Sequence, residues 1–367
     1  MAKKKRAVVA EKKRVPSRRR PRTAAPARRE SGVLDVTVVL VEGGYASTAI
    51  GPMEVFYSAG RLWNMFNGES AAPPFRVRVA SYDGRPVTSV GGVVLKAEIG
   101  IEDIKHTDII IVSASGLDVQ ERIAKNSALL PWLRKWHARG AYIASICSAA
   151  AFLAECGLLD GRRATSHWGV AEDLRQRYPK VDWHEELFVT EDRGIFCSGG
   201  LYASIDLSLY LVEKFCGHEV ALQCAKSLLV SMPRSQQSGF AMTALTRPHS
   251  DGRIREVEEY LQAHFARGMP IETLAGRFGM SPRNFIRRFK AATGRLPGAY
   301  VQALRIATAK ELLEQGKVPV QTICGKIGYE DVAFFRNVFK RHTGMTPAEY
   351  RTRFAGMRFE RGRLAAE

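Results

Sequence analysis

The chain has 367 residues, of which 46% are apolar, enough to build a core in each of two domains and too many for disorder throughout. Fifty-five Lys and Arg against 37 Asp and Glu give a formal net charge of +18, which points to a polyanionic partner. That charge is uneven: residues 1–30 carry net +11, residues 31–250 net −2 and residues 251–367 net +9.

Residues 3–29 are basic, broken by Pro16, Pro21 and Pro26, and lack any periodicity. Such a segment cannot bury enough apolar surface to offset its ordering entropy, so residues 1–31 are expected to form a disordered arm. The arm can neutralise phosphates but cannot hold base-reading geometry. Ala7-Val8-Val9-Ala10 is far shorter than the apolar stretch of a signal peptide, so export by that route is not expected.

Residues 33–41 form a β-rich run ending at Glu42-Gly43-Gly44, and Gly51-Pro52-Met53-Glu54-Val55-Phe56 leads into an amphipathic helix. Strands follow at 75–81 and 108–112, a helix at 129–139 and a strand at 141–146. The most membrane-like run, 141–159, contains Glu155 and many small Ala and Ser residues. It fits a buried strand-to-helix element, and no membrane partner is expected. A strand at 195–198 and helices at 205–215 and 219–230 complete an α/β domain over 32–235, with a doubly wound, mostly parallel sheet. Cysteines 147, 156, 197, 216, 224 and 324 show no Cys-x-x-Cys pair and no His at finger spacing. Neither disulfides nor a metal site nor a cofactor is expected, and the thiols should be reduced, as in a cytoplasm.

Residues 233–250 are rich in Pro, Ser, Gln and Gly, and 236–250 read as a linker. After it the periodicity is helical: Ile254, Val257, Leu261 and Phe265 share one face of a helix that begins near Ser250 or Asp251 and stops at Gly268. The chain then repeats itself. Pro270, Leu274, Ala275, Gly276, Arg277 and Gly279 return 49 residues later as Pro319, Ile323, Cys324, Gly325, Lys326 and Gly328. Past the turn the offset is 50: Phe285, Phe289, Lys290, Thr293, Gly294, Pro297 and Tyr300 match Phe335, Phe339, Lys340, Thr343, Gly344, Pro347 and Tyr350. Each copy is a short helix (271–278; 320–327), a glycine turn, and a second helix capped by Ser281 or Asp331, with Pro282 at the first helical position. That is helix-turn-helix grammar, and it predicts an all-α domain over 251–356, then a tail at 357–367.

The second helix of each unit is expected in a major groove. With Phe285 at 0° and about 100° per residue, Phe289 lies at about 40°, toward the core, while Arg283, Arg287 and Lys290 lie between about 140° and 200°. Asn284 and Arg288 complete the candidate contacts of copy one. In copy two Phe335 and Phe339 point inward, Ala333, Asn337 and Lys340 outward, and Arg336 lies on the flank. On a lone helix such cations would be a solvated face; two copies with matching turn, cap and polarity in a +9 segment favour double-stranded DNA. Residues 252–355 resemble the AraC-type DNA-binding domain. The resemblance is carried by Leu274-Ala275, Ser281, Phe285, Arg287, Phe289-Lys290 and Gly294, by Arg305, Ala309 and Leu312-Leu313, and by Ile323, Gly328-Tyr329, Phe335, Phe339-Lys340, Gly344, Pro347 and Tyr350-Arg351. It implies two helix-turn-helix units joined by one long helix at 299–315, reading successive major-groove faces on one side of the duplex. RNA polymerase is a candidate further partner.

Cys147 directly follows the strand at 141–146 and opens the run Ser148-Ala149-Ala150-Ala151, so its thiol should stand at a strand-to-helix turn where a helix dipole favours the thiolate. Residues 33–230 resemble the class I glutamine amidotransferase-like superfamily, in the branch of intracellular proteases and isocyanide hydratase, and above all the sensing domains fused to AraC-type modules. The carriers are 51–56, Ile146-Cys147, 157–168 (Gly-Leu-Leu-Asp-Gly-Arg-Arg-Ala-Thr-Ser-His-Trp), Ser198-Gly199-Gly200 and Ile205-Asp206. Enzymatic relatives have an acid three residues before the Gly-Pro pair, where this chain has Thr48; a His after the cysteine, here Ser148; and paired glycines after the third strand, here Ser113-Ala114-Ser115-Gly116. Thr48 cannot act as a general acid or base near pH 7.

The resemblance therefore implies a bacterial one-component regulator without catalytic residues. A small nitrogenous effector would bind at Thr48, Glu54, Cys147, Ser148 and His167, and the chain would form a homodimer. Three alternatives stay open: an active cysteine hydratase or hydrolase with a DNA-binding domain, a nucleoid-type structural binder, and a glutaminase. His184-Glu185-Glu186 has the letters for the last, but lies 37 residues after Cys147 in an expected surface hairpin, earlier than that family places its pair.

Overall fold

A computed structural model describes residues 32–116, 118–232, 234, 236–241 and 249–355. The expected arm at 1–31, linker residues 242–248 and the tail at 357–367 lie outside the described residues.

Seven strands form the main sheet: β1 (Leu34–Val39), β2 (Phe75–Ser81), β3 (Ile99–Gly100), β4 (Ile109–Val112), β5 (Tyr142–Ile146), β6 (Val189–Asp192) and β7 (Ile195–Ser198). Their order is β6-β7-β5-β4-β1-β2-β3, parallel throughout except for the β6–β7 pair. The Ile-Ile-Ile-Val of β4 is buried along its whole length, the signature of a strand covered on both faces. Ile110 and Val112 belong to a core with Trp132, Leu133 and Phe152; Ile109 and Ile111 belong to the opposite core with Phe56, Leu207 and Leu211. The fold is thus the doubly wound α/β domain that the alternating pattern predicts.

Two local expectations are corrected. Gly51-Pro52 does not open the first helix, which spans Ser47–Ser58 with Pro52 inside it. The Thr48 and Ile50 amides already bond the Tyr45 and Ala46 carbonyls, so the turn forms upstream of the proline. The segment around His184 is not a hairpin. Asp182–Trp183 pairs parallel with Arg163–Ala164, and the helix Ala171–Arg177 lies between them in sequence.

The C-terminal region is wholly helical among the described residues. It comprises Gly252–His264, Ile271–Arg277, a first recognition helix Pro282–Thr293, the linking helix Pro297–Glu314, Val320–Lys326, a second recognition helix Val332–Thr343, and Pro347–Phe354. Ser281 and Asp331 cap the recognition helices through their side chains, as their spacing predicts. Each repeat builds its own core: Leu274, Phe285, Phe289 and Tyr300 in the first, Ile323, Phe335, Phe339 and Tyr350 in the second. The linking helix feeds both cores, Leu304 into one and Ile306, Ala309 and Leu313 into the other. Gly279 and Gly328 both adopt positive φ in the turn, and a Cβ at Gly328 would also sit 1.9 Å from the Ala266 carbonyl oxygen. Among the described residues no helix is long and apolar enough to cross a membrane.

The Phe339 ring is fully buried, 5.7 Å from Phe335 and 5.4 Å from Tyr350 between ring centroids. Phe339→Ala is expected to destabilise this domain by about 3–5 kcal/mol, read as a lower midpoint in urea unfolding of the full chain.

Candidate functional site

On the first recognition helix Arg283, Arg287 and Lys290 are exposed, and Asn284 is half-buried. Asn284 Oδ1 accepts from Arg287 Nη2 at 2.9 Å, which steadies the guanidinium on the outer face. Arg288 departs from the set. Its guanidinium donates to both carboxylate oxygens of Asp251, at 2.8 Å for the Nη2 contact, and Asp251 also caps the helix Gly252–His264. Arg288 therefore ties the recognition helix to the helix behind it. On the second recognition helix Ala333, Arg336, Asn337 and Lys340 are all exposed. Phe334, which the sequence argument passes over, is also 54% exposed. Its alignment with Asn284 across the repeat was the signal that could have found it. Arg305 faces inward, its Nε donating to the Phe265 carbonyl at 3.0 Å and its guanidinium lying over the Tyr329 ring.

Cys147 follows β5 with φ +57°, the sparsely populated backbone of a sharp strand-to-helix turn. The expected thiolate does not follow. Burial pushes the thiol up to about 11, outweighing the opposing hydrogen bonds from Ser148. Thr48 is fully buried: its hydroxyl donates to the Tyr45 carbonyl at 2.6 Å and accepts the Ala114 amide at 3.0 Å. Ser148 Oγ accepts the next amide, that of Ser115, at 3.1 Å. The two amides of the loop after β4 are thus both occupied by the chain's own hydroxyls. Glu54 does not join this corner; it lies on the solvent face of the helix whose inner face carries Thr48, Pro52 and Val55.

His167 reaches the corner through its neighbour Ser166, whose Oγ donates to the Cys147 carbonyl at 2.7 Å. The His167 Nδ1 accepts the Gly169 amide at 2.9 Å, and burial lowers its pKa, so the ring is neutral with its proton on Nε2. A Cβ on Gly200 would stand 2.9 Å from the His167 ring, and one on Gly199 2.5 Å from the Gln237 side chain. The glycine pair after β7 is what lets both side chains sit there. His184 is held between Asp182 and Glu186, at 3.2 and 2.9 Å.

Gln237 is 2% exposed, and its Nε2 donates to the Ser166 and Leu187 carbonyls at 2.8 and 3.0 Å. The next carbonyl, Ser238, accepts from Lys310 Nζ at 2.9 Å, as does Ala241 at 3.0 Å. Burial lowers the Lys310 pKa to about 8. Phe240 packs edge-on against Phe188 of the sheet domain and Phe354 of the helical domain. Residues 236–241, expected to be linker, are therefore a packed seam between the two domains. A cleft of about 660 Å³ opens beside it, with Glu172 and Glu186 on one wall and Arg295, Lys310 and Arg341 on the other.

Asp35, His106 and Asp108 form a cluster whose candidate ligand atoms lie within 4.8 Å of one another. Asp35 is already committed to Arg76, at 2.6 and 2.9 Å, and Asp108 to the Asp35 amide at 2.8 Å. The Arg76 guanidinium supplies the positive charge that a metal ion would bring.

A doubly wound domain with a strained cysteine corner, joined by a packed seam to two capped and exposed recognition helices, defines a DNA-binding transcriptional regulator. Residues 36–214 match the DJ-1/PfpI family and residues 274–353 match a helix-turn-helix domain. The chain belongs to the DJ-1/PfpI family and carries an AraC-type helix-turn-helix domain. HTH-type transcriptional regulator CdhR of Pseudomonas aeruginosa is 29% identical over 292 residues, covering 79% of this chain and 84% of that protein. Isonitrile hydratase of Pseudomonas putida is 31% identical over 152 residues, covering 41% and 64%. Protein DJ-1alpha of Drosophila melanogaster is 30% identical over 150 residues, covering 40% and 68%. Named relatives of the sheet domain thus include an enzyme as well as a regulator.

Arg283→Ala and Arg287→Ala should each weaken binding to the preferred DNA sequence by about 1–3 kcal/mol in titrations. Arg288→Ala should instead lower the melting temperature and leave sequence preference unchanged. Alkylation of Cys147 by iodoacetamide, followed by peptide mass mapping, should stay slow up to pH 9 and rise toward a midpoint near 11, because the buried thiol loses its proton only there.

Proposed function

We propose that the sheet domain senses a small nitrogenous metabolite beside Cys147 and His167, and that the seam at Gln237 passes occupancy to the recognition helices. One observation supports this: Ser166 donates to the Cys147 carbonyl and Gln237 to the Ser166 carbonyl, and the residue bonded to Gln237 in the chain, Ser238, accepts from Lys310 of the linking helix. A ligand that shifts the Cys147 turn strains Gln237, and Gln237 cannot move without unsatisfying buried carbonyls, which costs about 1–3 kcal/mol each. His167 offers Nε2–H to an acceptor on the ligand, while Thr48 and Ser148 hold the loop against which it rests. The regulator acts in the cytoplasm as a homodimer, with RNA polymerase as a further contact.

Sensing rather than turnover is supported by three features. No carboxylate stands at position 48, the thiol is protonated at neutral pH, and the Ala114 and Ser115 amides are filled internally. The strained turn at Cys147 and the likeness to isonitrile hydratase favour a second reading, a cysteine hydratase. Turnover of an isonitrile by the purified chain, abolished by Cys147→Ser, would establish it.

A thermal-shift screen of the full chain against L-arginine, L-carnitine, glycine betaine and related amines should find a ligand that raises the melting temperature by several degrees, since it binds only the native state. With that ligand, Gln237→Ala should still bind it yet lose the ligand-dependent change in DNA affinity. An unchanged response in Gln237→Ala would remove the seam from the signalling route.

A further inference from the structure

Phe334 is the third residue of the second recognition helix, in the N-terminal turn that such helices present to base edges. Its neighbours Phe335 and Phe339 are fully buried, whereas Phe334 leaves more than half of its area in solvent. The ring is propped by Tyr329, 5.8 Å away between centroids, and cannot fold back onto the core that Phe335 already fills. The repeat sharpens the contrast. Where the first helix has Arg283, Asn284 and Arg287, the second has Ala333, Phe334 and Asn337. Arginine matches the two acceptors of guanine, and asparagine matches the donor and acceptor of adenine. Thymine alone offers a methyl group, which alanine or phenylalanine can cover.

We propose that the second recognition helix reads a thymine, with its C5-methyl group packed against Phe334 and Ala333 and Asn337 on a nearby adenine. The first helix reads guanine through Arg283 and Arg287. The two halves of the binding site therefore differ in composition, one G·C and the other A·T. The proposal rests on both helices being groove readers, and it assigns each its base class.

The test uses the full chain. Bound duplexes are selected from a random-sequence pool, and each thymine of the resulting consensus is then replaced by deoxyuracil, which removes only the methyl group. Uracil at one position of the A·T half should weaken binding about four-fold, the worth of one buried methyl. Phe334→Ala, left with only the Ala333 contact, should lose most of the difference between thymine and uracil duplexes while keeping its guanine preference in the other half. Phe334→Leu, apolar but not aromatic, should retain the methyl dependence. Equal binding of thymine and uracil duplexes by the wild type, or a methyl dependence undiminished in Phe334→Ala, overturns the assignment. Failure to enrich any sequence overturns the groove reading itself along with it.

Discussion

The buried amide of Gln237 is the contact on which the arrangement of the molecule depends. A glutamine side chain removed from water costs several kcal/mol unless its donors and acceptor find partners, so once seated it fixes whatever supplies them. Here the partners are the Ser166 and Leu187 carbonyls, and the seat exists because Gly199 has no side chain. The following residues are then placed for Lys310, whose ammonium is itself buried and must keep the Ser238 and Ala241 carbonyls to stay so. Each half of the seam thus depends on the other remaining packed, which is how a short polar segment comes to be buried between two domains.

The helical domain shows how duplication separates scaffold from specificity. Both copies keep the inward phenylalanines, the capped second helix, the threonine–glycine end and the tyrosine that closes the core. The outward positions have diverged, from Arg283, Asn284 and Arg287 to Ala333, Phe334 and Asn337. Burial allows little substitution where volume must be conserved, while exposed positions answer only to what they touch. Arg288 shows the limit of reading a helix by charge alone, since its position beside Asp251 makes it a brace between helices.

Much of this is legible in the sequence alone. The strand at Phe75–Ser81 and that at Ile195–Ser198 fall where apolar runs place them, and the caps at Ser281 and Asp331 follow from short-range spacing. Such features depend on residues a few positions apart. What stayed hidden depends on distant ones. Thr48 meets the Ala114 amide across 66 residues, Ser148 meets Ser115 across 33, and Gln237 meets Ser166 across 71. Composition made 236–241 look like solvated linker because Gln, Ser and Gly carry no apolar signal, and their burial is decided by partners that only the fold supplies. The thiol of Cys147 was misread for a related reason: position at a helix start favours a thiolate, but desolvation is the larger effect.

That same cysteine shows how a fold holds a strained turn in place. A non-glycine residue at φ +57° costs about 1–3 kcal/mol, and the surrounding structure must enforce it. Here the enforcement is visible: Ser166 grips the Cys147 carbonyl, and Ser148, one residue on, is anchored to the Ser115 amide. Both restraints act on the backbone, and the hydrogen bonds by which Ser148 favours the thiolate are outweighed by burial. The Ala114 and Ser115 amides are occupied by the Thr48 and Ser148 hydroxyls, so the local strain does not present those two donors to a developing oxyanion. What it does provide is a turn held between two hydrogen-bonded anchors, one of which leads through Gln237 to the DNA-binding domain. A strained turn in that position is sensitive to small displacements, because any motion that relaxes it must alter one of the two anchors.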